Sequence, residues 1–374
     1  MMNCHTIREI LQQPDVWMKT FDTVWDKQNE IMEFMTSNGV SKQLDIFLSG
    51  AGSSAYIADT AACLYYRDGY VHAKSVPTTD MVSCPEYFLD GTKKLVVSFG
   101  RSGDSPESVA SYNIVRKCVK DAAHLIITCN ADGYLARTAE RGRDYVLVLP
   151  KETNDVSLAM TSSFTSMLAA SILCKNAARL GTEKEKLAGA AAFAKRFFSE
   201  EVLAQIKKIV NKDVRRAVFL GSGPLTGIAR EAHLKLQELT DGKIMCAYDS
   251  FLGLRHGPKA VIDDRTLVVY LLSDDEYTRK YEYDLIRQVN AEHNPASRIL
   301  VSANPDGCDC PVDLRINGEG LALGEDNEYK FIPYVIIGQL LGYHFSLKNG
   351  LNPDRPSVSG AISRVVNGVK IYNY

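Results

Sequence analysis

The sequence predicts an α/β protein built from two copies of one parallel-sheet domain. Three blocks recur in the same order. "IFLSGAGSSAYIADTA" from Ile46 is echoed by "VFLGSGPLTGIAREA" from Val218, 172 residues later. "LVVSFGRSGDSPES" from Leu95 is echoed by "LVVYLLSDDEYTRK" from Leu267, again 172 residues later. "LIITCNADG" from Leu125 returns as "ILVSANPDG" from Ile299, 174 residues later. Matching blocks in one order and at nearly one offset mark a duplication. Within each copy, short apolar runs alternate with helical patterns, which implies parallel strands with helices on both faces.

The elements follow in order. Residues 1–40 form a helical lead, read from "VWMKTFDTVWDKQNEIMEFM". The first domain is assigned to 41–200 and the second, with a C-terminal tail, to 201–374. Residues 183–209 read as helices joining the halves, and 331–347 as a buried helix. The tail "NGLNPDRPSVSGAISRVV" is rich in Pro, Gly and Ser and reads as a wrapping loop.

Composition sets limits on function. The 374 residues are 45% hydrophobic and 24% charged, with net charge −2, so electrostatics give no reason to expect nucleic acid or an anionic membrane as partner. The start, "MMNCHTIREI", has no basic segment followed by an apolar core. The longest apolar candidate, "FIPYVIIGQLLGYHFSL", is interrupted by Pro333, Gln339 and His344. Cys63, Cys118, Cys129, Cys174 and Cys246 stand in apolar surroundings and read as reduced, buried thiols of a cytoplasmic protein. Cys308 and Cys310 form a C-x-C without a second ligand pair, so a metal there is the weaker reading. No metal or other cofactor is expected.

The stretch "SFGRSGDSPES" (98–108) joins a strand end, Leu95–Val97, to a helix start. Ser105 suits the N-cap, Pro106 the first helical position, and Glu107 the positive end of the dipole. Bare amides and the hydroxyls of Ser102, Ser105 and Ser108 suit a phosphate; an ordinary capped helix has the same signature. In a parallel sheet the turns "AGSS" (51–54) and "RSGDS" (101–105) lie beyond the same strand ends and share an edge, which favours the phosphate. The second copy's counterpart, "LLSDDEY", is acidic and lacks glycine, and is expected to have lost anion binding.

Residues 221–242, "GSGPLTGIAREAHLKLQELTDG", read as a helix between Pro224 and Gly242. Leu225, Ile228, Ala232, Leu236 and Leu239 share its core stripe. Glu231, Lys235 and Glu238 share a neighbouring one, either a solvated charged face or a base beside a cation at a pocket edge. His256, in "FLGLRHGPKAVID", ends a short apolar helix before Gly257 and Pro258. It fits a C-terminal cap, and equally a proton shuttle.

The Gly/Ser turn, the S-G-D-S turn, the E-x-x-x-K-x-x-E helix and the H-G-P loop together resemble the SIS (sugar isomerase) superfamily over nearly the whole chain. The pattern is similar to the isomerase half of glucosamine-6-phosphate synthase, also a tandem SIS pair. "AMTSSFTSML" (159–168) and "PSVSGAISRVVNG" (356–368) are similar to its AgaS-type subfamily, described as tagatose-6-phosphate ketose/aldose isomerases or galactosamine-6-phosphate deaminases. The resemblance implies two flavodoxin-like three-layer αβα domains with five-stranded sheets. By motif position it places the sugar phosphate on Gly52, Ser53, Ser54, Ser102, Gly103 and Ser105, with Arg101 adding a cation. It places proton transfer on Glu238, with Lys235 and Glu231 beside it, and ring opening on His256. It also implies a homodimer or homotetramer, with the site at the subunit interface and His256 reaching a neighbour's pocket.

Two departures from the synthase pattern follow. The chain enters an α-helical lead and the first SIS copy directly, so glutamine-driven synthesis is not expected. "DRPSVSGAIS" holds no lysine before Lys370, so a direct proton transfer is preferred to a protein-bound imine. The function expected is conversion of galactosamine 6-phosphate to tagatose 6-phosphate and ammonia, or aldose–ketose isomerisation by the same groups. The alternatives are a fructosamine-6-phosphate-type deglycase and a non-catalytic sugar-phosphate sensor.

Overall fold

The computed structural model describes residues 4–305, 307–366 and 368–374. The chain forms two compact units. One takes in Asp15–Asp155, Ser162–Lys184 and Ile362–Tyr374; the other takes in the chain up to Pro14, Val156–Thr161 and Glu185–Ala361.

The first sheet holds β1 (Asp45–Ser49), β2 (Ala73–Ser75), β3 (Lys94–Gly100), β4 (Ala123–Thr128) and β5 (Asp144–Val148) in the order β2-β1-β3-β4-β5. Every pairing is parallel: Ile46 faces Ala73 on one side and Leu95 on the other. The central strands are continuous apolar runs because helices cover both of their faces; β4 is buried along its whole length. Phe47, Val76, Met81, Val96, Val115, Val119 and Ala122 form one such layer. The strand order reverses between β1 and β3. The chain leaves β1 toward β2 and β3 toward β4, so right-handed crossovers put the two following helices on opposite faces.

The second sheet repeats this plan. It holds β6 (Arg216–Gly221), β7 (Met245–Asp249), β8 (Thr266–Leu272), β9 (Ser297–Ser302) and β10 (Leu314–Asn317) in the order β10-β9-β8-β6-β7, all parallel. The three repeated blocks are β1 with β6, β3 with β8, and β4 with β9. The α/β duplication with five parallel strands per copy is therefore the architecture of the molecule.

The N-terminal helical pattern resolves into His5–Leu11, Gln13–Asp26 and Gln28–Ser37. The expected buried helix near 331–347 is in two parts, a 3₁₀ stretch Glu328–Val335 containing Pro333 and an α-helix Ile336–Lys348. Pro333 has no N–H to give to an α-helical ladder, which fits the tighter winding around it. Two glycines of the α-helix bring it hard against the Leu225–Leu239 helix. A Cβ at Gly338 would stand 2.6 Å from the Cα of Ala232, and one at Gly342 would stand 2.7 Å from the carbonyl oxygen of Lys235. The charged helix is thus seated by contacts that admit no side chain.

One cysteine expectation needs correction. Cys129, Cys174 and Cys246 are buried, but Cys63 is exposed and Cys118 half-buried. Cys63 lies on the outer side of its helix, between Ala61 and Leu64, which face inward. Apolar neighbours in sequence are not neighbours in space when the period is 3.6. Cys308 and Cys310 pack into the apolar layer of the second unit with Tyr270, Leu285 and Ile286. All nine cysteines are free. Among the described residues no helix is long and apolar enough to cross a membrane.

Candidate active site

In the first unit the two Gly/Ser turns follow adjacent strands. Ser49 at the end of β1 lies beside Ser98 of β3, so the turns 50–53 and 101–105 leave the sheet together at the point where strand order reverses. That crevice is where open parallel sheets bind ligands. Gly52 enters the Ser53–Arg67 helix at φ 56°, a left-handed conformation that favours glycine, and a Cβ there would meet nothing within 4 Å. Ser53 and Ser54 open the helix and are buried.

The second turn is tied down from outside itself. Asn130 Nδ2 donates to Ser102 O at 3.0 Å, Leu135 N–H to Gly103 O at 3.2 Å, and Tyr134 N–H to Asp104 Oδ1 at 2.8 Å. Gly103 takes φ 71°. Ser105 holds the N-cap position of the Pro106–Cys118 helix, as its sequence predicts, but its hydroxyl does not cap the backbone. It donates to Ser108 Oγ at 2.6 Å. At neither this helix nor Ser53–Arg67 does the N-cap side chain accept a backbone N–H bond. Helix starts whose N–H groups are left open in this way suit an anion. Arg101 is 7% exposed and donates through Nη2 to Arg364 O at 2.5 Å.

The second copy's turn is closed from inside. Asp275 caps the Glu276–Glu292 helix, accepting from Thr278 N–H at 2.7 Å and the Thr278 hydroxyl at 2.6 Å. Glu282, wholly buried, accepts from Ser273 N–H at 3.0 Å. Burial pushes its carboxyl up to about 7, against the opposing pull of the Ser222 hydroxyl, the Ser273 N–H and Arg279. The acid is therefore favoured in its neutral form by folding. Its stabilising contribution is complete below the ordinary glutamate range near 4.5 and is lost as pH rises through 7. Glu282→Gln is expected to gain stability relative to wild type as pH climbs from 5 to 8, by up to about 3 kcal/mol. Urea unfolding of both proteins across that range checks it; a difference independent of pH contradicts it.

The charged stripe of the Leu225–Leu239 helix is not a solvated face. Glu231 is 0% exposed, and the Lys235 and Glu238 side chains are 1% and 15% exposed. Lys235 Nζ stands 3.1 Å from Glu231 Oε1 and is also hydrogen-bonded to Glu238 Oε1. Burial disfavours the ammonium, but Glu231 and Glu238 outweigh it and leave Lys235 above the ordinary lysine range. The row therefore runs from a fully buried carboxylate, through a fixed cation, to a carboxylate that reaches solvent. Glu238 is the member that can meet a ligand. His256 ends a 3₁₀ turn, Gly253–His256, and is exposed. Among the described residues its side chain makes no hydrogen bond or ion pair, so the structure joins Glu231, Lys235 and Glu238 by direct contacts that do not include His256. Sequence reasoning passed over two groups at the turns, Glu282 and Arg364. Arg364's partners lie in other segments, and Glu282 reaches back nine residues to the Ser273 N–H in the turn before its own helix, a contact no helix period marks.

A family model for the SIS domain matches residues 40–173. The D-galactosamine-6-phosphate deaminase AgaS of Shewanella sp. (strain ANA-3) is 37% identical, over 99% of this chain and 92% of its own length. The solved tagatose-6-phosphate ketose/aldose isomerase from Escherichia coli matches at TM-score 0.86 and 31% identity, over 100% of this chain and 97% of that one. The C-terminal domain of glucosamine-fructose-6-phosphate aminotransferase from Francisella tularensis has the same fold, with TM-score 0.74 and 20% identity over 93% of this chain and 97% of that one. With its duplicated parallel sheets, its Gly/Ser turns at the first sheet's switch point and its buried acid–lysine–acid row, the chain belongs to the AgaS-type family of SIS-domain sugar-phosphate isomerases and deaminases.

Proposed function

We propose that the protein deaminates galactosamine 6-phosphate to tagatose 6-phosphate and ammonia, with aldose–ketose isomerisation as the same chemistry on a sugar carrying hydroxyl at C2. The buried Glu231–Lys235–Glu238 row is the observation that carries the reading, because a ligand sensor needs no carboxylate held against an ammonium. The names of the Shewanella and Escherichia coli relatives support the substrate class. In this reading the 41–200 copy takes the phosphate on Gly52, Ser53, Ser54, Arg101, Ser102, Gly103 and Ser105. The 201–374 copy supplies the proton chemistry.

The steps balance without an external redox partner. His256 gives a proton to the ring oxygen and takes one from the C1 hydroxyl, which opens the pyranose to the aldehyde. Glu238 removes the C2 proton, and the C–H electrons pass through C1 to the carbonyl oxygen, giving an enaminolate whose oxygen charge Lys235 stabilises. Return of that proton to C1, with one amino proton passing to the C1 oxygen, gives the imine at C2 and a hydroxyl at C1. Water adds to that carbon, ammonia leaves, and the ketose 6-phosphate remains. Ammonia release from galactosamine 6-phosphate tests the reading; release of neither ammonia nor ketose overturns it.

We also propose a homo-oligomer in which His256 serves a neighbouring subunit's site. His256→Ala and Ser102→Ala homomers are each expected to be weak. Co-refolded with subunit exchange verified by mass, they are expected to exceed the summed activity of the parents, because some mixed sites regain both groups. Activity equal to that sum places His256 in its own subunit's site or outside the reaction.

A further inference from the structure

We propose that the first unit holds a second ligand site, at the opposite end of its sheet from the phosphate turns, and that this site takes a small aromatic carboxylate. The turns 50–53 and 101–105 follow the ends of β1 and β3, whereas Ile46 and Leu95, near the starts of those strands, line a cavity of about 170 Å³. An apolar cavity of about 150 Å³ holds one benzene ring. Every residue of the site belongs to the first unit.

The lining favours an aromatic ring over an alkyl chain. Met32 and Met35 of the Gln28–Ser37 helix and Cys174 of the Ser162–Lys175 helix bring sulfur to the walls, and sulfur packs well against ring edges. Tyr65 and Tyr70 add two rings, with centroids 5.6 Å apart and planes tilted by 50°. A third ring can pack edge-to-face against such a pair. Burial pushes the Cys174 thiol up to about 12, so the chamber carries no thiolate to repel an anion.

The mouth sets the charge. A polar cavity of about 370 Å³ shares Tyr70, Lys175 and Ala178 with the first and adds Lys42, Asp68 and Arg179. Two of its cations already meet carboxylates. Lys175 is bonded to Asp68, and Arg179 lies 3.6 Å from both Asp68 and Glu183. Lys42 does not: among the described residues its ammonium is in no ion pair or hydrogen bond, and it lies over Gly69, where a Cβ would stand 3.1 Å from Nζ. Burial, and then Asp68, raise the Tyr70 phenol above its ordinary range, so its hydroxyl stays a donor. A ring in the chamber leaves its acid group at the junction of the two cavities, beside Tyr70 and on the side that Lys42 lines.

Titration calorimetry with phenylacetate, phenylacetamide and acetate tests the site in wild type, Lys42→Gln and Met35→Trp. Phenylacetate is expected to bind once per chain, about tenfold tighter than its neutral amide or than acetate, because it alone has both ring and charge. Lys42→Gln should weaken phenylacetate about three- to fivefold, the scale of an exposed ion pair, and leave phenylacetamide unchanged. Met35→Trp fills the chamber and should abolish binding of both. Saturating inorganic phosphate should leave the phenylacetate Kd unchanged, since the two sites stand at opposite ends of the sheet. No binding of phenylacetate, equal affinity for the amide or for acetate, wild-type affinity in either variant, or displacement by inorganic phosphate overturns the inference. If Met35→Trp does not fold, Lys42→Gln decides alone, because Lys42 is exposed and its replacement leaves the core intact.

Discussion

Glu238→Gln is expected to lower kcat by roughly 10²–10⁴, the usual contribution of a general base. The amide keeps the shape of the side chain and its contact with Lys235, which lies between Glu231 and Glu238. It cannot accept the C2 proton. Deuterium from solvent should therefore enter C1 or C2 of recovered sugar with wild type and not with the variant. The choice of Glu238 over Glu231 rests on access: Glu231 is fully buried beneath Lys235, whereas Glu238 is partly open. Exchange at the wild-type rate in Glu238→Gln would move the role to Glu231.

Replacing Ser102 and Ser105 together by Ala is expected to raise KM for the phosphorylated sugar by roughly 10- to 100-fold, with a much smaller effect on kcat. Each hydroxyl bonded to a charged phosphate contributes about 1.5–3 kcal/mol at most, and its loss is felt already in the ground state. Part of the effect passes through the turn itself, because Ser102 Oγ also accepts from Asp104 N–H at 3.2 Å. Unphosphorylated galactosamine separates the two contributions: kcat/KM for it should change little. Wild-type KM in the double variant would mean that the phosphate lies elsewhere.

Much of the fold was legible because the information is local. An apolar run of strand length, a glycine turn and a 3.6-residue period each show within a dozen residues, and their recurrence at one offset exposed the duplication. The same locality made the Glu231–Lys235–Glu238 stripe visible, since three- and four-residue spacings define one helix face. It did not decide whether that face met water or protein. A charged stripe has one pattern in both cases, and only the seating of the helix by Gly338 and Gly342 among other contacts shows the row to be buried. The Ser105 hydroxyl shows the same limit at shorter range. Its position in the helix start was read correctly, while its choice of Ser108 over a backbone N–H depends on the path of the turn.

By itself, then, the sequence determined two parallel α/β copies, the Gly/Ser turns of the first, the acidic counterpart turn of the second, and an acid–lysine–acid helix. Tertiary structure alone decided that Glu231 and Lys235 are buried, that Cys63 faces outward, that Glu282 meets the Ser273 amide, and that Arg364 closes on Arg101. The physical reason is packing between elements. Periodicity reports which residues share a face within one element, not what that face meets. One partner of Arg101, the Arg364 carbonyl, lies 263 residues away, and such a pairing exists only once separate segments have packed.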